Sequence, residues 1–126
     1  MALQLTLLIV DDAPFIREVI KDLAQKNGIT VIGEAENGED AVKLASELRP
    51  DVILMDIVMP KVSGVEATRR IMQEWPEAKV LALSTLDQDV LVQKALQAGC
   101  KEFITKPFKS KDLVDKIKKI GGGDYD

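Results

Sequence analysis

Five polar side chains stand out because each follows an apolar run. Asp11 and Asp12 follow residues 5–10, Asp56 follows 52–55, Ser84 follows 79–83 and Lys106 follows 102–105. Three carboxylates brought together repel one another and call for a cation. An all-oxygen ligand set favours a hard divalent ion such as Mg2+, which keeps several waters and leaves room for phosphate oxygens. A carboxylate can also act as a nucleophile and form an aspartyl-phosphate. A metal, a lysine and a hydroxyl are then the groups that would neutralise and hold the transferred phosphoryl oxygens. The chain has no histidine. That removes Ser-His-Asp and Cys-His nucleophilic sites and histidine metal sites in one step.

Each of these residues also has a plainer reading. Asp56 alone reads as a turn residue. Asp11-Asp12 could simply precede and cap a helix, Ser84 could be a turn hydroxyl, and Lys106 could be a solvated lysine. The conjunction is what favours chemistry, and it depends on the elements that carry the residues.

Those elements follow from hydrophobic periodicity. Apolar runs at 5–10, 52–55 and 79–83, a stretch rich in β-branched residues at 29–34 and a short run at 102–105 predict five strands. Between them lie helical stripes: Ile16, Val19, Ile20 and Leu23 after Pro14; Ala41, Val42, Ala45 and Leu48 after an Asn37 cap; Val65, Thr68, Ile71, Met72 and Trp75 after a Ser63–Glu66 capping box. A helix over about 87–98 and a last one capped by Ser110 complete the alternation. Strands that are apolar throughout imply burial on both faces, hence an α/β fold with a doubly wound parallel sheet. Ligands in such sheets bind outside the carboxyl ends of the strands. All five polar residues fall there.

The chain of 126 residues reads as one domain over 1–120, with residues 121–126 as a polar tail expected to be disordered. The net charge of −4 argues against nucleic acid and anionic membranes as partners. No apolar run approaches the roughly 20 residues of a membrane span, and no signal peptide is legible at the N-terminus. The single cysteine, Cys100, suits a reducing compartment. A cytoplasmic location is the expectation.

Taken together, Asp11-Asp12, Asp56 with Met59-Pro60 and Gly64, Ser84-Thr85 and Lys106-Pro107-Phe108 resemble the receiver domain of bacterial response regulators, the CheY-like family. The resemblance spans about residues 5–120. The strand order 2-1-3-4-5 is the known order of the CheY and flavodoxin folds and enters only through this resemblance. The resemblance implies that Asp56 accepts a phosphoryl group from a histidine of a sensor kinase. With no histidine in the chain, the donor must act in trans. It further implies that Asp12, Asp56 and the backbone carbonyl of Val58 bind Mg2+, with Asp11 assisting through water. Ser84 would contact the phosphoryl group and move inward on activation, and Lys106 would pair with it. Phe103 falls at the aromatic switch position, and Lys106-Pro107 is a candidate cis peptide.

Four positions depart from the common pattern. Ser63 stands where the family often has Asp and keeps a capping role. Val58 and Leu86, two residues past Asp56 and Ser84, are both apolar and would orient a hydrolytic water poorly, so a long-lived phosphoryl group is expected. Phe103 lacks the hydroxyl of the frequent tyrosine alternative.

Rival readings meet specific objections. An aspartate-nucleophile phosphatase or mutase would need a second Asp where Val58 stands. A flavin or nucleotide binder would need a phosphate-cradling Gly-rich or hydroxyl-rich loop. A decayed interaction module would have lost site residues, and all five are present. The expected function is therefore a phosphorylation-controlled switch, catalysing only its own phosphoryl transfer and slow autodephosphorylation. The expected output face is roughly residues 87–98, 102–105 and 110–120. The expected setting is a stand-alone chemotaxis regulator acting on a flagellar motor switch, with a phosphatase as a further partner. The alternative is a phosphorelay intermediate or the receiver of a longer transcriptional regulator.

Overall fold

The computed structural model describes residues 4–122. Five strands alternate with five helices: β1 Leu5–Val10, α1 Pro14–Lys26, β2 Ile29–Ala35, α2 Gly38–Leu48, β3 Val52–Asp56, α3 Gly64–Glu74, β4 Val80–Thr85, α4 Asp89–Ala98, β5 Glu102–Lys106 and α5 Ser110–Gly122. The strands form one parallel sheet in the order β2-β1-β3-β4-β5. The doubly wound parallel α/β sheet is the one that the apolar strand runs predict, and its strand order is the one that the resemblance implies.

Successive strand residues point to opposite faces, and the sheet divides two cores accordingly. Leu8, Val10, Ile53, Met55, Val80 and Ala82 pack with Ala41, Ala45, Ala67, Ile71, Val92 and Ala95 of α2, α3 and α4. Leu7, Ile9, Leu54, Leu81 and Leu83 pack with Ile20, Ala24, Leu113, Val114 and Ile117 of α1 and α5. β3 is buried over its whole length, Asp56 included. A register shift between Leu7 and Leu8 interrupts the pairing of β1 with the edge strand β2.

Several boundaries differ from the sequence expectation, each for a local reason. α4 begins at Asp89, because Asp87 takes φ 74° and turns the chain before the helix. Ser110 is the first residue of α5 rather than its cap; the Lys109 carbonyl accepts from Leu113 N. At Ser63 the capping box is half made. Ser63 Oγ accepts from Glu66 N at 3.2 Å, while the Glu66 carboxylate turns to Arg69 and Arg70.

The expected tail from 121 is corrected: α5 runs on through Gly121 and Gly122. A Cβ at Gly121 would come within 2.4 Å of a Leu5 methyl, so a larger residue there would have to displace the Leu5 side chain. Lys79 Nζ also donates to the Gly121 carbonyl at 3.2 Å. The rest of that expected tail, 123–126, lies outside the described residues.

Candidate functional site

Because all strands are parallel, their carboxyl ends share one rim. Registers Asp56↔Leu83, Ser84↔Thr105 and Thr85↔Lys106 carry the site residues across adjacent strands. One ligand oxygen from each of Asp11, Asp12 and Asp56 falls within 4.8 Å of the others. Lys106 Nζ lies 2.9 Å from Asp11 Oδ2 and 3.6 Å from Asp56 Oδ2. Asp11 and Asp56 are buried, whereas Asp12 is exposed at the mouth.

Asp11 and Asp56 are oriented by the same local device. Asp11 Oδ1 accepts from Ala13 N at 2.9 Å, and Asp56 Oδ1 accepts from Val58 N at 3.0 Å. Each aspartate thus bonds the backbone two residues on, as Asx turns do. The remaining Oδ2 atoms are the ones that face Lys106. The chain enters α3 under a tight constraint, since a Cβ at Gly64 would stand 2.1 Å from the Asp56 carbonyl oxygen. Beyond β5, the Lys106-Pro107 peptide is cis.

Electrostatics follow from burial. Desolvation pushes the Asp56 carboxyl up to about 6; the Asp11 and Asp12 charges add to this, and the Val58 N–H and Lys106 oppose it. Burial pulls the Lys106 ammonium down, but its contacts with Asp11 and Asp56 more than reverse this, so its net shift is upward.

Buried polar groups almost always find partners. Among the described residues, the buried side-chain oxygens and nitrogens that do not are Asp11 Oδ2, which has only its close ion contact with Lys106, and Ser84 Oγ. Both belong to this rim. An all-oxygen donor set with an orphaned carboxylate oxygen fits a hard divalent cation, and an orphaned hydroxyl beside it fits an anionic oxygen. Asp11, Asp12 and Asp56 are the side chains that would hold the ion.

Ser84 opens onto a cavity of about 310 Å³ lined in part by Val92, Phe103 and Thr105. Phe103 is 42% exposed, so its ring is not a core aromatic here. Val58 and Leu86 are exposed at 48% and 71% and flank the rim as apolar surface.

One site residue escapes a reading of the sequence. Arg17, the fourth residue of α1, donates from Nη1 to the Asp11 carbonyl at 2.6 Å and from Nε to Glu34 Oε1 at 3.0 Å. The available signal is a cation near a helix N-terminus, where the helix dipole disfavours it.

Residues 7–118 match the response regulator receiver domain family. The chain belongs to that family. The chain is 44% identical to chemotaxis protein CheY of Thermotoga maritima over 113 residues, covering 90% of this chain and 94% of that one. Among solved structures, it resembles a chain of the CheX-CheY-BeF3-Mg2+ complex from Borrelia burgdorferi, with TM-score 0.86 and 30% identity over 92% of this chain and 88% of that one. It also resembles a sensor histidine kinase receiver domain from Pseudomonas aeruginosa with magnesium coordinated in its active site cleft. There the TM-score is 0.85 and the identity 31%, over 95% of this chain and 99% of that one. Receiver domains are signalling switches that take phosphate from histidine kinases and bind Mg2+ at an acidic pocket, and this receiver domain carries such an acidic group at its rim. No described helix is long and apolar enough to cross a membrane.

Proposed function

We propose that Asp56 is the phospho-acceptor of a switch that changes protein–protein interactions. The observation that carries this is the convergence of Asp11, Asp12 and Lys106 on the buried Asp56 carboxylate at the sheet's carboxyl rim. Asp56 Oδ1 is engaged by Val58 N, which leaves Oδ2 as the attacking oxygen. A P–O bond forms as the P–N bond to the partner kinase's histidine breaks, and the electron pair stays on that nitrogen. Asp12, Asp56 and the Val58 carbonyl, with Asp11 assisting, would hold Mg2+, which when bound would supply charge neutralisation for the phosphoryl oxygens. Lys106 pairs with the same charge, and the unpartnered Ser84 hydroxyl donates to it after an inward shift. Phe103 follows into the space beside Ser84. The output face is formed by α4, β5 and α5.

The kinship with CheY proteins supports a chemotaxis regulator acting on a flagellar motor switch, phosphorylated by a sensor histidine kinase and reset by a phosphatase. The second reading is a phosphorelay intermediate or the receiver of a longer regulator. The likeness to the receiver domain of a sensor histidine kinase supports this second reading. The site is tested by incubating the protein with Mg2+ and a small-molecule phosphodonor and measuring intact mass. One added phosphoryl group is expected, lost in Asp56→Ala. No adduct, or an adduct that survives that substitution, overturns the assignment. A pull-down with motor-switch protein, activated against resting, then separates the two settings.

A further inference from the structure

We infer that Arg17 is a positioning residue for the metal site, and that Glu34 acts through it. The inference rests on the Mg2+ reading above. α1 has no side-chain cap at Ala13 and no acidic residue in its first turn, whereas α2 and α3 are capped by Asn37 and Ser63. In place of a cap, Arg17 reaches back six residues to the Asp11 carbonyl, at 2.6 Å. Its backbone N–H closes the first turn on Ala13 O at 3.2 Å. The same side chain is fixed from behind by Glu34 Oε1, and Lys21 Nζ holds Glu34 Oε2 at 3.1 Å. The Arg17 side chain is 16% exposed, so its guanidinium sits largely under the surface, while its partner Glu34 is 33% exposed.

The Asp11 backbone is therefore held on both sides of its Cα. Arg17 grips the Asp11 carbonyl from the β2 side, while Asp11 N donates to Ala35 O at 3.0 Å. Asp11 and Asp12 are the two carboxylates that the segment 11–13 delivers to the rim. Groups that orient ligands without touching the metal commonly change its affinity 10- to 100-fold when removed. Arg17 acts on backbone rather than on a carboxylate, so a weakening of about three- to tenfold is expected.

The sign distinguishes positioning from simple charge. Removing a cation next to three carboxylates should tighten Mg2+ by Coulomb's law alone. Loss of positioning should weaken it. The test is calorimetric Mg2+ titration of wild type, Arg17→Gln, Glu34→Ala, the double variant and Asp12→Ala, well below each melting temperature. Weaker binding in both single variants, with a double variant little weaker than Arg17→Gln, supports the inference. Equal or tighter binding in Arg17→Gln, or additive effects in the cycle, overturns it while leaving the metal site intact. A wild type that binds no Mg2+, or an Asp12→Ala that binds as wild type does, overturns the metal reading and this inference with it. A melting temperature that falls while Mg2+ affinity stays at the wild-type value shows a structural role only, and also overturns it.

Discussion

Lys106 Nζ stands 2.9 Å from Asp11 Oδ2, on a carboxylate that is fully buried. The lysine is shared, because Asp56 Oδ2 is also in reach at 3.6 Å. Removing it leaves two buried carboxylates facing each other without a counter-charge. Breaking a fully buried pair by deleting one partner costs about 3–5 kcal/mol. The Lys106 side chain is 20% exposed, so Lys106→Ala should cost less, about 1–3 kcal/mol. Urea denaturation in EDTA checks this, and saturating Mg2+ should restore part of the loss. An unchanged midpoint in EDTA would show that the pair contributes nothing to the fold.

Asp56 carries the opposite liability. Its folded pKa is raised from 3.8 to about 6, so between these values the native state holds more protons than the unfolded state. Stability without metal therefore falls as pH rises through this window. At neutral pH the penalty approaches 3 kcal/mol at most, from about two pKa units at roughly 1.4 kcal/mol each. Asp56→Asn keeps an acceptor for Val58 N and removes the charge. It should stabilise the metal-free protein by about 1–3 kcal/mol at pH 7 and by little at pH 4. Denaturation midpoints at the two pH values decide it; an equal effect at both would contradict the burial argument.

Val58 and Leu86 give the rim two apolar, exposed neighbours. Neither side chain can accept a hydrogen bond from an attacking water. The phosphorylated protein should decay slowly, over minutes or longer, when no phosphatase is added. Loss of the intact-mass adduct with time measures this. A half-life of seconds would mean that these side chains do not control water.

Gly64 should be intolerant of the smallest substitution. In an ordinary helical position Gly→Ala gains up to about 1 kcal/mol. Here the new methyl would lie 2.1 Å from Asp56 O and 2.6 Å from Ile57 Cα, which are backbone atoms and cannot swing aside. Gly64→Ala should instead destabilise by about 1–3 kcal/mol and slow phosphorylation by displacing Asp56. A stabilised variant would show that the α3 entry relaxes freely.

The two cores and the rim were largely legible from the chain. Strands β1, β3 and β4 are nearly wholly buried, and that burial requires the unbroken apolar runs from which they can be read. Parallel strands then bring Asp11, Asp56, Ser84 and Lys106 to one rim as a matter of topology. Less legible features depend on contacts between distant segments. The positive φ at Asp87 and the bond from Thr85 N to Gln88 Oε1 shape the start of α4, and neither residue type announces it. Gly121 and Gly122 look like a helix stop, yet the helix continues through them, with Gly121 packed on Leu5 and Val52 and its carbonyl held by Lys79. Arg17 resembles a solvated helix residue until the Asp11 carbonyl is placed beside it.

That continuation of α5 has a practical consequence. Gly121 packs against Leu5 and Val52, the first residues of β1 and β3, so the helix ends at the amino edge of the sheet. The acidic group lies at the carboxyl edge, and the six residues of β1 separate the two, roughly 20 Å at about 3.3 Å per residue. An affinity handle, a fluorophore or a surface tether joined beyond Gly122 departs from the far pole of the molecule. It leaves the rim open to a docking protein of any ordinary size, which makes that end the natural place to immobilise the receiver for kinase and partner measurements.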